Sequence, residues 1–349
     1  MIFFRGSRGG PSRRPVPALV SGSLSALLAL SLAGCAGTPA KSEGRPAASS
    51  PAASSPAASG AAASGSAASG SAADSRERLT VGGTERTYLL HRPGGERKAR
   101  PLLLAFHGRG ETASEMRKRD RLEKAAGERG MVVARPEAID RIWSADTTPT
   151  PKRPDPNVDV RFADALIAEL VRRGEADPKR VYAVGFSNGG SMAMRFASQR
   201  PQRVAAAASV SGQLPVGAAK ALDAAAPAPV PVLVVYGEKD AVRPMAGVPN
   251  PPAPKPGEEP MTATIGTRDS AAAFARAAGT KPPVTTAHSG YDRTYWGPGK
   301  PGGAPVELLV MSGAGHTWPG SKITPPPNFG STSTALDATA KVLDFLTGR

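Results

Sequence analysis

The sequence predicts an α/β fold: a mostly parallel central sheet with helices on both faces. Three observations predict it. Runs such as "PLLLAFHG" (101–108) and "VPVLVVYG" (230–237) are continuously apolar, as in strands buried on both faces. Segments with apolar residues spaced four apart lie between such runs. The alternation of strand and helix continues from Leu79 to the last residues, with no sign of a second apolar core.

Each element follows in order. "LTVGGTERTYLLHRP" (79–93) reads as two short strands around Gly82-Gly83, a hairpin. After the strand "PLLLAFHG", "SEMRKRDRLEKAAGERG" (114–130) reads as a charged helix and "MVVARPE" (131–137) as a strand. "VDVRFADALIAELVRRG" (158–174) places Val158, Phe162, Leu166 and Leu170 on one helical stripe, with Asn157 as a candidate cap. "RVYAVGF" (180–186) is a strand and "NGGSMAMRFASQR" (188–200) a helix. "VAAAASVSG" (204–212) and "VPVLVVYG" are strands, and "TIGTRDSAAAFARAAG" (264–279) is a helix. "VELLVMSG" (306–313) is the last strand and "STALDATAKVLDFLTG" (333–348) a closing helix. The Pro- and Gly-rich stretches 243–260 and 297–305 read as surface loops.

The first residues belong to no core. Residues 1–34 carry Arg5, Arg8, Arg13 and Arg14, no acidic residue, and an apolar run from Ala18 to Leu32, the grammar of a secretory leader. That run is shorter than the ~20 residues that span a bilayer. "Leu32-Ala33-Gly34-Cys35" resembles the lipobox of bacterial lipoproteins, in which the cysteine is lipidated. Cys35 is the single cysteine, so no disulfide within the chain is possible, and acylation would make anchoring durable. Residues 35–75 then hold Ala/Ser/Gly/Pro near-repeats with almost nothing to bury, as expected of a disordered tether. Residues 76–349 are expected to form one folded domain on the outer face of the cell membrane.

Net charge is +15; the four leader arginines contribute four of these, leaving +11 for the remainder. Such a surface favours anionic lipid or cell-wall polymer. With aromatics at 5% and no Lys/Arg run interleaved with them, nucleic acid is not an expected partner. Four scattered histidines and one cysteine make no metal-ligand cluster, and no cofactor is expected.

The chemistry centres on "VGFSNGG". Gly-x-Ser-x-Gly alone is weak, and a loop that merely needs small residues would satisfy it. Here, however, Ser187 stands between a predicted strand and a predicted helix. A sharp strand-to-helix turn needs small residues at Gly185 and Gly189, and holds the serine hydroxyl over the C-terminal edge of the sheet. A serine nucleophile needs a base. Of His91, His107, His288 and His316, only His316, in "MSGAGHTWPG", follows a late strand on a glycine-rich loop. Asp240, in "GEKDAVRP", follows another strand by a short turn and is the favoured third member, with Glu238 and Asp292 as rivals. The order Ser187, Asp240, His316 is that of the α/β-hydrolase fold. "FHGRGET" (106–112) offers the Arg109 N–H, which with the Asn188 N–H could hold an oxyanion; His107 would pin that loop. A simple glycine turn is the alternative there.

Taken together, "PLLLAFHGRGETA", "VVARPEAIDRIWSAD", "RVYAVGFSNGGSMAMRFASQRPQRVAAAASVSG", "VPVLVVYGEKD" and "GAGHTWPG" resemble the polyhydroxybutyrate depolymerase and feruloyl esterase family of secreted α/β-hydrolases, over roughly residues 79–349. The resemblance implies Ser187 as nucleophile, Asp240 as acid, His316 as base, and Trp143 and Trp318 flanking the cleft. It also implies ester substrates: feruloyl or acetyl groups on polysaccharide, or short polyhydroxyalkanoate oligomers. Cysteines common in that family are replaced here by Ala197 and Thr280, and the proline-rich segment 243–260 is particular to this chain. The contrasting expectation is a non-catalytic surface lipoprotein that uses the same fold to bind a cell-wall or extracellular ligand; against it stands the intact set Ser187, Asp240 and His316.

Overall fold

Main-chain pairing explains most of the architecture. The computed structural model describes residues 71–95, 98–224 and 230–349. The expected leader, Cys35 and the tether up to residue 70 lie outside the described residues. Within them, β1 (Ala73–Val81) and β2 (Thr84–Arg92) form the expected hairpin, with Gly82 and Gly83 both at positive φ as a two-residue turn requires. The hairpin is longer than expected. Ala73–Ser75, assigned from sequence to the tether, join β1 because their backbone pairs with Leu90–Arg92 of β2.

The chain continues through β3 (Arg100–Phe106), α1 (Ala113–Asp120), α2 (Leu122–Glu128) and β4 (Val132–Pro136). The single charged helix expected at 114–130 is therefore two, broken where Arg121 adopts a left-handed φ of 52°. Then come α3 (Val158–Arg172), β5 (Ala176–Phe186), α4 (Asn188–Gln199) and β6 (Ala206–Val210). Asn157 occupies the cap position of α3, but its side chain does not cap; its Oδ1 accepts from Arg195 instead. A helix not read from the sequence, α5 (Val216–Ala224), precedes β7 (Val232–Gly237) and α6 (Thr267–Ala277). The hairpin β8 (Val284–His288) and β9 (Tyr291–Trp296), β10 (Val306–Met311) and α7 (Ala338–Thr347) complete the order.

Among the described residues all ten strands belong to one sheet, ordered β1-β2-β4-β3-β5-β6-β7-β10-β9-β8. Pairing is parallel from β4 through β10 in this order and antiparallel at both margins. Because successive strand side chains point to opposite faces, each apolar run divides between two cores. Leu102, Leu104, Phe106, Val232, Val234 and Tyr236 face the core covered by α3, α4, α5 and α6. Leu103, Ala105, Leu233 and Val235 face the one covered by α1, α2 and α7. This is why the central strands read as unbroken apolar runs. It also leaves the loops after β3, β5, β7 and β10 gathered at one edge of the sheet.

Candidate active site

The turn from β5 into α4 is as tight as its glycines suggest. A Cβ on Gly185 would lie 2.1 Å from the Gly189 carbonyl oxygen, and one on Gly189 would lie 2.1 Å from the Phe106 carbonyl oxygen. Ser187 at the apex has φ 54° and ψ −118°, a conformation strained for a residue with a side chain. Its N–H is held by the Val210 carbonyl at 2.9 Å.

Two further loops converge on this apex. Gly237 ends β7 against the loop that follows β10: a Cβ there would lie 2.1 Å from the Gly315 carbonyl oxygen. That close approach brings Asp240 beside His316. His316 Nδ1 is 2.7 Å from Asp240 Oδ2, and His316 Nε2 is 2.8 Å from Ser187 Oγ. The ring is fixed between Phe186 and Phe329, at centroid distances of 5.2 and 5.0 Å. Asp240 Oδ1 accepts from the Val242 and Arg243 N–H groups, so the carboxylate cannot turn away. Of its rivals, Glu238 is exposed and accepts instead from the Gly313 N–H, and Asp292 lies within strand β9. Ser187 is 9% exposed, Asp240 5% and His316 only 1%, so the serine is the most accessible of the three.

Asn188 is the first residue of α4, so its N–H has no partner within the helix. Among the described residues no backbone carbonyl accepts the Arg109 N–H. The loop carrying Arg109 is braced from below. Because a carbonyl can only accept, His107 Nδ1 donates to Gly108 O at 2.8 Å, which leaves Nε2 to accept from the Ala138 N–H at 3.1 Å. Burial holds this imidazole below its ordinary pKa, and the neutral ring suits both bonds. Glu111 accepts from the Gly108 N–H and from Arg119.

The tryptophans are almost wholly buried, at 2% and 1% exposure, yet each borders a cavity: Trp143 beside Pro151 and Pro260, Trp318 beside His316 and Phe329. The Trp143 ring packs edge-on against Phe106, its Nε1–H donates to His107 O at 2.9 Å, and its backbone N–H donates to Asn188 Oδ1 at 2.8 Å. Trp318 lies in the second core and donates to Thr339 Oγ1. Both brace the loops around the site. A residue not singled out from the sequence does similar work. Buried Arg195 of α4 donates to the carbonyls of Ser144, Asp146 and Pro156 and to Asn157 Oδ1, gathering the loop after Trp143. An arginine amid "SMAMRFAS" was the available signal. Among the described residues no group of His, Cys, Asp and Glu is arranged to hold a metal ion.

Comparison with known proteins gives the family. The chain is 38% identical over 285 residues to NocK of Nocardia uniformis subsp. tsuyamanensis, a protein provisionally named an esterase; the match covers 77% of this chain and 81% of NocK. The chain belongs to this esterase family. A sequence profile of the dienelactone hydrolase family matches residues 128–250 of this esterase. Feruloyl esterase B of Piromyces equi is 34% identical over 111 residues, covering 32% of this chain and 20% of that much longer protein. The solved acetyl xylan esterase from Aspergillus awamori superposes with a TM-score of 0.52 at 15% identity, over 70% of this esterase and 94% of that chain. The fold is that of the α/β-hydrolases.

Proposed function

We propose that this protein is a serine esterase with Ser187 as nucleophile, His316 as general base and acid, and Asp240 orienting the imidazole. One observation carries the reading: an unbroken hydrogen-bonded relay from Asp240 Oδ2 through His316 to Ser187 Oγ, with steps of 2.7 and 2.8 Å. His316 takes the hydroxyl proton as Oγ attacks the ester carbonyl. The oxyanion forms against the N–H groups of Asn188 and Arg109. His316 then passes its proton to the departing alcohol, and water attacks the acyl-enzyme by the same route. Asp240, held by two backbone N–H groups, stays in place to stabilise the imidazolium.

The substrates we propose are feruloyl or acetyl esters of polysaccharide, or short hydroxyalkanoate oligomers. The likeness to a feruloyl esterase supports the first of these. We further propose that the chain is exported, lipidated at Cys35 and tethered to the outer face of the cell membrane; the leader and the Ala/Ser/Gly/Pro composition of residues 36–70 support this. The test is hydrolysis of 4-nitrophenyl acetate, methyl ferulate, acetylated xylan and a hydroxybutyrate oligomer by the full chain and its Ser187→Ala variant. Loss of a nucleophile in such a triad lowers kcat by roughly a million-fold. Equal rates for the two proteins would refute the reading.

A further inference from the structure

The turn that follows β6 stands between the elbow and the loop that carries His316. Val210 ends β6, and its carbonyl accepts from the Ser187 N–H at 2.9 Å. Ser211 comes next, wholly buried, with φ 53°, a left-handed backbone strained for a residue with a side chain. Its N–H donates to the Val235 carbonyl at 2.9 Å, and its Oγ donates to the Thr317 carbonyl at 3.0 Å. Gly212 is pressed against the elbow: a Cβ there would lie 2.6 Å from the Ser187 carbonyl oxygen.

The His316 loop is fastened on its other sides without Ser211. The Lys239 N–H donates to Ala314 O at 2.7 Å and the Gly313 N–H to Glu238 Oε2 at 2.9 Å, which joins this loop to the one carrying Asp240. The N–H groups of Gly315 and His316 donate to Ser331 O and Phe329 O. Toward the nucleophile the fastening is sparse. Among the described residues, only two hydrogen bonds cross from residues 312–320 to β5, α4, β6 or the turn after β6. One joins His316 Nε2 to Ser187 Oγ, and the other joins Ser211 Oγ to Thr317 O. The first is the bond that the proposed reaction must break and remake. The second stands throughout.

We infer that Ser211 is a positioning residue whose hydroxyl, by holding the Thr317 carbonyl, sets the height of the His316 imidazole over Ser187 Oγ. The inference rests on the esterase reading of Ser187 and His316. Backbone dihedrals fix the direction in which a side chain leaves the chain, so the left-handed turn is what aims this hydroxyl at the later loop. Proton transfer needs the imidazole within hydrogen-bond reach of the serine, and a misplacement of about 1 Å can cost about a hundredfold in rate. Ser211 takes no part in the proton transfer itself. It acts through Thr317, the residue after His316.

Two substitutions in the full chain separate positioning from stability. Ser211→Ala removes the hydroxyl and keeps the strain, whereas Ser211→Gly removes both, since glycine adopts positive φ freely. Ser211→Gly should therefore melt at the higher temperature of the two. Both should nonetheless lose kcat for 4-nitrophenyl acetate by about tenfold to a hundredfold, with KM within about twofold of the parent. Labelling of Ser187 by an alkyl fluorophosphonate, which loses fluoride as Oγ takes its phosphorus, should slow in parallel. Three results would overturn the inference: parental kcat in both variants, a loss confined to KM, or activity that returns in Ser211→Gly together with the melting temperature. Ser187→Ala is run beside them. Hydrolysis or labelling that persists in Ser187→Ala defeats the esterase reading itself. Ser187-dependent rates combined with any of the three results defeat the role of Ser211 alone.

Discussion

Arg135 and Arg153 are both buried arginines facing carboxylates, and they are treated in opposite ways. Arg135 Nε donates to Glu123, Nη1 to Asp120, and Nη2 to both. Burial opposes its charge, but the two carboxylates outweigh it and hold the cation. Arg153 has one carboxylate near it and keeps two nitrogens without hydrogen bonds. The first cluster joins β4 to the α1–α2 corner on the face away from Trp143, whereas the second lines a cavity. A completed network holds the fold, whereas an incomplete one leaves part of its desolvation cost unmet.

The largest break in this comparison is Arg135→Met. It leaves Asp120 and Glu123 buried and facing each other, and should cost about 3–5 kcal/mol in denaturant titration. The molecules that remain folded should keep their specific activity. A loss of activity without a loss of stability would erase the distinction between the two clusters.

A smaller effect is expected from Arg195→Met. Burial pushes the Arg195 guanidinium down to about 10, since only backbone carbonyls and the amides of Asn157 and Gln199 meet it. Withdrawing those donors should cost roughly 1.5–3 kcal/mol. Because those carbonyls belong to the loop that Trp143 ties to Asn188, the residue after Ser187, it should also lower ester hydrolysis. Unchanged activity in the folded protein would detach Arg195 from the site.

The smallest effect belongs to His107, a buried group kept neutral. The unfolded chain binds a proton near the ordinary pKa of 6.5, and the folded protein resists it. Stability is therefore whole above about pH 6.5 and declines as pH falls below that value. Melting temperatures recorded from about pH 7.5 down to about pH 5 should show this decline, less steeply in His107→Asn. Identical slopes would show that other groups dominate.

What could be read from the sequence follows the same division. Ser187, Asp240 and His316 were legible because each follows a strand, and parallel strands deliver their C-terminal loops to one edge. That Trp143 and Trp318 also brace loops through their ring N–H groups was not legible, because an aromatic residue near a motif carries no mark of what its N–H will meet. The break at Arg121 carries no signal, since an arginine is not marked for left-handed backbone. The helix Val216–Ala224 is alanine-rich with little amphipathic contrast. Ala73–Ser75 look like tether and become strand only because β2 is there to pair with them. The partnership of Arg153 with Glu259 spans loops distant in the chain, and no local pattern announces it.

The separation of the three convergent loops has a bearing on biosynthesis. Ser187 and His316 stand 129 positions apart, and β10, which delivers the imidazole, is the last strand in chain order among the described residues. A nascent chain can complete the elbow long before it owns a base. On the proposed chemistry, such a chain stays inert toward every ester it meets until the loop after β10 has been made.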